Sequence, residues 1–440
     1  MKHTFKIGGI HPAENKTASI DIELQPLPTT VCLPLQQHIG VPAKALVGRG
    51  DKVTRGQIIA EAGGFVSAPV HASISGTVTA IENVIMPDGR TAPAVIIKAD
   101  DEEHRADTEA RETYWAKIGE ARSLDDITGG IDADTLRTKI AGAGLVGLGG
   151  ATFPSHVKLN AKDAAPDTLI INGCECEPYL RCDDALMCRW PRQALEGARL
   201  LMRASGVKRV VVGVEDNKPQ AIAALSKASS DMPEVEICPV KAKYPQGGEK
   251  QLIEALTGRR VGSGALPASV GVIVNNIATA FAAYQAIAFG EPLLERIITV
   301  TGDIPPEMRR NYIVALGTPF ADLPFTLPDN AMAIIGGPMM GRTAVRLDAP
   351  VTKGSSGLLL LSRPATYEVQ PCVRCAECVS VCPMGLEPYL ISTYGRLRRW
   401  DDARSAGVAD CIECGSCSYI CPSHRPILDF IRIAKIRSRK

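Results

Sequence analysis

Aromatic residues are scarce in this chain: Phe, Trp and Tyr make up 5% of its 440 residues. Neither sign of charge is in excess, since 49 Lys and Arg face 48 Asp and Glu for a formal net charge of +1. Such a balance exerts no global pull on nucleic acid or on an anionic membrane surface. Long apolar runs are also missing. Residues 261–290 hold no charge, but Asn275, Asn276, Thr279, Tyr284 and Gln285 interrupt them, and an Asn pair is costly in lipid. This stretch reads instead as a buried strand, Gly271–Asn275, followed by an Ala-rich packed helix, Ile277–Phe289. The opening MKHTFKIGGIHP has no apolar core of the secretory type, so no signal peptide is expected. No transmembrane segment and no nucleic-acid partner are expected, and any meeting with a membrane is from outside it. What the chain does have is 40 Gly, 31 Pro and 14 Cys in a background that is 45% hydrophobic. That composition fits a soluble α/β protein with many turns, and the length implies about three domains.

Eight of the cysteines form two runs with one spacing. Cys372, Cys375, Cys378 and Cys382-Pro383 make the first, and Cys411, Cys414, Cys417 and Cys421-Pro422 the second. Each repeats the C-x2-C-x2-C-x3-C-P pattern of bacterial two-cluster ferredoxins, in which the fourth Cys of a run ligates the other cluster. This assigns Cys372, Cys375, Cys378 and Cys421 to one [4Fe–4S] cluster, and Cys411, Cys414, Cys417 and Cys382 to the other. Paired C-x2-C units also bind zinc, but the third Cys and the Cys-Pro ending of both runs argue for clusters. The remaining six, Cys32, Cys174, Cys176, Cys182, Cys188 and Cys238, form no disulfide framework, and thiols beside such clusters imply a reducing compartment.

Upstream, residues 31 to 98 read as short strands punctuated by Gly and Pro. The charged segment 100–113 reads as a solvated linker or exposed helix. From residue 131, β-branched runs at Leu169–Ile171, Arg209–Val214, Val235–Val240 and Val270–Val274 alternate with helical stretches such as Lys218–Lys227 and Lys250–Thr257. That alternation predicts a mostly parallel sheet covered on both faces. Strand-like runs return at Ile297–Val300 and Ala333–Ile335. After a linker over Ser362–Pro371 come the clusters, separated by a mostly helical Met384–Asp410.

Gly142-Ala143-Gly144-Leu145-Val146-Gly147 matches the dinucleotide fingerprint G-x-G-x-x-G, but an amphipathic helix over Asp132–Ala141, opened by Asp, stands where a strand is needed. The more informative loop is Gly147-Leu148-Gly149-Gly150-Ala151-Thr152-Phe153-Pro154, whose glycines let backbone amides approach a planar ring or a phosphate. Ser155 is expected to cap the next helix, and Lys158 to add a charge toward a phosphate. Asn172-Gly173-Cys174-Glu175-Cys176-Glu177-Pro178 ends the first strand of the sheet, where open α/β sheets bind ligands. Its two acids suit ribose hydroxyls, a flavin edge or a nicotinamide amide rather than a phosphate. Tyr244-Pro245-Gln246-Gly247-Gly248-Glu249 opens a helix, and Asn275-Asn276-Ile277-Ala278-Thr279 offers amides at another strand end.

Together these segments resemble the NADH- and FMN-binding flavoprotein subunit of respiratory complex I, with matches at Gly147–Lys158, Asn172–Pro178, Tyr244–Glu249 and Val274–Thr279. The segment Gly50–Ala60 with Ala68–Val78 resembles the barrel-sandwich hybrid of biotinyl and lipoyl carriers. Those carriers present a modified lysine after Glu-Ala. Here Gly63-Gly64-Phe65 follows Glu61-Ala62, so the sandwich is expected as scaffold only. Read end to end, with the opening Gly8-Gly9-Ile10-His11-Pro12-Ala13-Glu14-Asn15-Lys16, the chain resembles the RnfC component of the Rnf (Rsx) ion-translocating electron-transport complexes. A cobalamin reductase of propanediol utilisation resembles the same parts, with its sandwich-like region at the other end. Departures from the complex I pattern fall at Leu148, where an Arg stands there, and at Cys174, where an acid stands there.

The resemblance implies a multidomain α/β protein: an N-terminal extension, β barrel-sandwich hybrid and linker (1–130), a Rossmann-like FMN/NADH domain (131–290), a β-grasp domain of the SLBB type (291–362) and an α-helical two-cluster ferredoxin (363–440). It implies FMN, NAD(H) and two [4Fe–4S] clusters as cofactors. NADH gives two electrons at once and each cluster takes one; a flavin exchanges both ways. The cofactor residues carried over are Gly147, Gly149, Gly150, Phe153, Lys158, Asn172, Glu175, Tyr244, Gly248, Glu249, Asn275, Asn276 and Thr279, with Glu177 near the nicotinamide or ribose. Partners implied are integral and peripheral membrane subunits of one complex, and ferredoxin indirectly, with the chain peripheral on the cytoplasmic face of the inner membrane. The basic, apolar-striped tail Ile427–Lys440 is a candidate docking surface. A soluble flavin/Fe–S reductase and a non-catalytic electron relay are the alternatives.

Overall fold

The computed structural model describes residues 3–438 apart from 121, 161–164, 329 and 363–366, so part of the linker expected over Ser362–Pro371 lies outside the described residues. At its centre is a parallel sheet in the order Val235–Val240, Arg209–Glu215, Thr168–Asn172, Val272–Asn276. Its strands are continuous apolar runs because both faces are covered. Leu169, Ile171, Val210 and Val212 share a core with the helices Pro191–Ser205 and Ile277–Ala288, while Ile170, Val272 and Val274 pack with Leu252 and Ile253 of Glu249–Thr257. All four strands end on one side, so Asn172, Glu215 and Asn276 share an edge.

A helix, Ala133–Gly142, does precede Gly142–Gly147, and the side chain of Asp132 accepts from Thr135 N as its N-cap. Ser155 is a correction. It is the first residue of the helix Ser155–Leu159 rather than its cap, makes no capping bond, and its buried Oγ has no partner. Of the two readings of the charged segment, linker or exposed helix, the helix holds. Residues Asp101–Lys117 form one helix whose Arg111 is buried, paired with Glu295 and donating to Ile313 O at 3.0 Å. Burial of that cation is tolerated because a carboxylate and backbone carbonyls take up its donors.

The N-terminal sandwich packs a four-stranded sheet (Thr30–Pro34, Thr91–Lys98, Gly76–Ile85, Lys52–Val53) against a three-stranded one (Lys44–Ala45, Ile58–Glu61, Val70–His71). Val31, Leu33, Ile59, Ile74, Val78 and Ile97 fill its core. A six-stranded sheet is built from Glu295–Gly302, Arg310–Ala315, Met332–Ile335, Arg342–Thr343 and Gly357–Leu361, and its edge is completed by Ile22–Leu24, parallel to Arg310–Ala315. The chain before the sandwich therefore serves other modules.

In the C-terminal module the helices Pro388–Arg396 and Ile427–Arg437 cross closely at Gly395, where a Cβ would collide with Phe430 O. The tail is not free. Ile427, Leu428, Ile431 and Ala434 are buried, Arg432 and Lys435 pair with Glu413, and Lys435 Nζ donates to Cys411 O at 2.6 Å. Among the described residues no helix is long and apolar enough to cross a membrane.

Candidate functional site

The glycine-rich loop is a closed turn: Gly147 N donates to Phe153 O at 2.8 Å and Thr152 N to Gly147 O at 3.0 Å. Thr279, predicted to touch a flavin, holds this turn from behind, since its Oγ1 accepts from Leu148 N at 2.9 Å. Arg296, which sequence reasoning missed, donates to Leu148 O at 3.1 Å from the six-stranded sheet. Gly150 adopts φ +103, and a Cβ there would meet nothing within 4 Å. The outer face of the loop is thus open, as a ring or phosphate requires.

The two asparagines at the sheet edge differ sharply. Asn276 is fully engaged, its Nδ2 donating to Asp183 Oδ2 at 2.7 Å and its Oδ1 accepting from Ala278 N at 2.8 Å. Asn275 is buried, and neither its Nδ2 nor its Oδ1 has a partner. A buried amide left unpaired costs about 1–3 kcal/mol, so it marks a place built for something else to bond. Lys158 Nζ, on the helix after the glycine loop, bonds Glu249 Oε2 and Val274 O at 3.1 Å each.

The acids turn inward. Glu175 receives Asp183 N at 3.0 Å, Asp184 N at 3.3 Å and Cys182 Sγ at 3.2 Å, so its carboxylate caps the helix Cys182–Arg189. Burial, with the Glu175 charge beside it, pushes Asp183 up to about 7. Glu177, expected at the nicotinamide or ribose, accepts from Met339 N at 3.0 Å and Met340 N at 2.7 Å instead. Burial lifts its carboxyl to about 7 against the pull of those amides. Asn172 braces backbone, donating to Gly247 O at 2.8 Å and accepting from Cys174 N at 3.0 Å. Gly248 is the residue before the helix opened by Glu249. Asp183 and Arg296 carried no sequence signal, because each acts through a contact made only in the fold.

Cys382 lines one cavity with Cys411, Cys414 and Cys417, walled by Ile391, Leu428 and Ile431. Burial and the other three thiols push Cys417 up to about 12, and Cys411 rises to about 11, so cluster insertion has protons to displace. Cys378, likewise raised by burial, has Cys421, Cys372 and Cys375 as its charged neighbours. Cys382 thus stands with Cys411, Cys414 and Cys417, and Cys421 near Cys372, Cys375 and Cys378. Among the described residues the thiols do not converge on one ion-sized point, as ligands at the corners of a cube need not. Backbone supports them: Glu413 N donates to Cys411 Sγ and Leu386 N to Cys382 Sγ, both at 3.4 Å. Left-handed residues recur at matching places in the two runs, Arg374 with Glu413, Ala376 with Gly415 and Gly385 with His424. Four of these six are not glycine, so the loops hold strained backbone.

The cavity adjoins the sheet edge. Tyr244, buried, donates from its hydroxyl to Cys414 O at 2.7 Å, and Gln251 Nε2 donates to Pro383 O at 3.2 Å. The opening Gly8-Gly9-Ile10 ties the two together: Gly9 N donates to Val381 O and Ile10 N to Tyr244 O, both at 2.9 Å, and a Cβ on Gly8 would collide with Cys382 backbone. Cys372 and Cys375 are exposed to solvent. Among the cysteine groups, the one with Cys414 is inner and the one with Cys372 outer.

Three family models match along the chain: the RnfC barrel sandwich hybrid domain over residues 3–102, the Nuo51 FMN-binding domain over 140–285 and the 4Fe-4S dicluster domain over 365–422. A similar solved structure is an NAD+-reducing [NiFe]-hydrogenase in the air-oxidized state (TM-score 0.52, 17% identity, 80% of both chains covered), a likeness of fold. Among curated relatives, the C subunit of the Na+-translocating ferredoxin:NAD+ oxidoreductase complex of Acetobacterium woodii is 42% identical over 99% of this chain and 97% of its own length. The C subunit of the proton-translocating ferredoxin:NAD+ oxidoreductase complex of Clostridium ljungdahlii is 39% identical, covering 100% and 95%. The C subunit of the ion-translocating oxidoreductase complex of Rhodobacter capsulatus is 40% identical, covering 97% and 82%. With identity at this level over nearly the whole chain, the protein belongs to the RnfC family, the C subunits of ion-translocating ferredoxin:NAD+ oxidoreductase complexes.

Proposed function

We propose that this chain is the NAD(H)-facing member of such a complex, moving electrons between NAD(H), FMN and two [4Fe–4S] clusters while ion translocation happens elsewhere in the assembly. What carries this is an open glycine loop and an unpaired Asn275 amide at a strand end, with Tyr244 joined by a hydrogen bond to the four-cysteine cavity. The residues present fit a flavin: Gly150 offers unshielded backbone to a ring, Asn275 offers an unspent donor and acceptor, and Lys158 offers a cation near the strand ends. When bound, FMN exchanges a hydride with the nicotinamide and single electrons with the clusters. The protein's own work is positioning. Thr279 and Arg296 hold the loop, Asp183 orients Asn276 beneath Gly149, and Tyr244 with Gly8–Ile10 fixes the inner cluster loop against the sheet edge. No acid–base residue is needed for hydride transfer.

In this reading the modules at 1–130, 131–290, 291–362 and 363–440 are a barrel-sandwich hybrid with its extension, a Rossmann-like flavin domain, a β-grasp domain and a two-cluster ferredoxin. The outer cluster exchanges electrons with neighbouring integral or peripheral subunits, and through them with ferredoxin, the chain lying peripherally on the cytoplasmic face of the inner membrane. The test is anaerobic reconstitution of the full chain with iron, sulfide and FMN followed by NADH. The flavin band should bleach and reduced-cluster signals should appear; a chain with intact clusters that retains no FMN would refute the flavin half.

A further inference from the structure

The tip of the N-terminal sandwich carries an aromatic side chain that core packing does not explain. Phe65 is 69% exposed, although burying a ring of that size gains about 1.5–3 kcal/mol. The tip itself is well held. Val41 N donates to Val66 O at 2.9 Å, Gly63 N to Ser67 Oγ at 2.9 Å, and Ser67 Oγ to Val41 O at 2.8 Å. Gly40 and Gly63 are packed so closely that a Cβ on either would collide with the carbonyls of Val66 and Pro42 respectively. The backbone therefore presents Phe65 in one geometry.

That geometry puts the ring at the lip of the glycine loop. Ile39 N donates to Thr152 O at 3.2 Å. His156, in the helix that follows the loop, lies with Nε2 3.3 Å from Phe65 O. Its ring meets Phe65 in a T-shaped contact, centroids 6.4 Å apart at 85°, and does not stack on it. Beside them the outer surface at Gly150 is open.

We infer that Phe65 is the outer wall of the nucleotide site and stacks on the purine ring of NAD(H), an assignment that rests on the function proposed above. A dinucleotide brings two flat rings. The nicotinamide must lie against the flavin, and the adenine, a pyrophosphate away, needs a flat apolar partner beyond the loop. A fixed ring loses little conformational freedom on stacking, and base–aromatic stacking of this kind is strong and does not need hydrogen bonds. The tip that in carrier sandwiches bears a lysine here bears a wall.

The test uses the FMN- and cluster-loaded full chain and Phe65→Ala. Because Phe65 is exposed, flavin and iron content serve as folding controls. Calorimetric titration with ADP-ribose should show binding weakened about tenfold, and KM for NADH should rise by about the same factor with kcat held. The loss should be confined to ligands with a purine, leaving reduced nicotinamide mononucleotide oxidised as by wild type, and Phe65→Trp should restore ADP-ribose affinity. ADP-ribose binding within twofold of wild type, or an equal loss with the mononucleotide, would overturn the assignment. Absence of ADP-ribose binding by wild type would overturn the nucleotide reading as a whole, and the role of Phe65 with it.

Discussion

The hydroxyl of Tyr244 donates to the backbone carbonyl of Cys414 at 2.7 Å. One residue thus stands at the sheet edge expected to bind flavin and touches the loop of the inner four-cysteine cavity. Tyr244→Phe keeps the ring and removes the bond, leaving a buried carbonyl unpaired at a cost of about 1–3 kcal/mol. Flavin and iron content should hold, while reduction of the clusters after NADH slows by about threefold to tenfold in stopped-flow absorbance. An unchanged rate would mean the bond is only structural.

Asn275 and Asn276 should respond with opposite signs. Asn275→Leu removes an unpaired buried amide, so the FMN-free protein should gain about 1 kcal/mol while flavin affinity falls at least about tenfold. Asn276→Leu breaks bonds to Asp183 and Ala278 and should lower the stability of the FMN-free protein. Thermal melts and flavin titration of both variants measure the pair of effects.

Glu177 predicts a pH dependence. Burial raises its carboxyl from about 4.5 to about 7, so the folded state favours the protonated form. Its contribution is fully present below about pH 4.5 and is lost as pH rises through about 7. From about pH 5.5 to about pH 8 the melting temperature of wild type should fall by a few degrees relative to that of Glu177→Gln. Asp183, also raised to about 7, pulls the same way in both proteins and cancels from that difference.

Cluster ligation should follow the crossed grouping. Cys382→Ala should remove the same electron paramagnetic resonance signal as Cys411→Ala, and Cys421→Ala the same signal as Cys375→Ala. Loss of one signal by both Cys375→Ala and Cys382→Ala, or by both Cys411→Ala and Cys421→Ala, would contradict the shared cavity.

Much of this was legible from residue order. The four parallel strands and the Asp132 cap followed from β-branched runs and a capping residue, because local propensity and burial agreed there. The cysteine spacing implied the crossed grouping because three of the ligands expected at each site are local. Other features depended on contacts between distant segments. Ile22–Leu24 is too short to show a period, and only its pairing with Arg310–Ala315 makes it a strand. Asn275 and Asn276 are chemically identical in sequence, and the fold alone leaves one of them unpaired. Glu175 and Glu177 read as ligand-facing acids, but helix amides and the Met339–Met340 turn bind them inward. Gly8 read as a signature, and its reason is the close approach to Cys382.

The order of electron transfer tests the account most directly. Freeze-quench electron paramagnetic resonance after mixing NADH with the reconstituted full chain and its Cys382→Ala and Cys421→Ala variants would read it. With Cys421→Ala, the flavin and the inner cluster should still be reduced at the wild-type rate. With Cys382→Ala, the flavin should be reduced while an intact outer cluster stays oxidised on that timescale. Reduction of the outer cluster at the wild-type rate without the inner one would contradict the path through Tyr244 and Cys414.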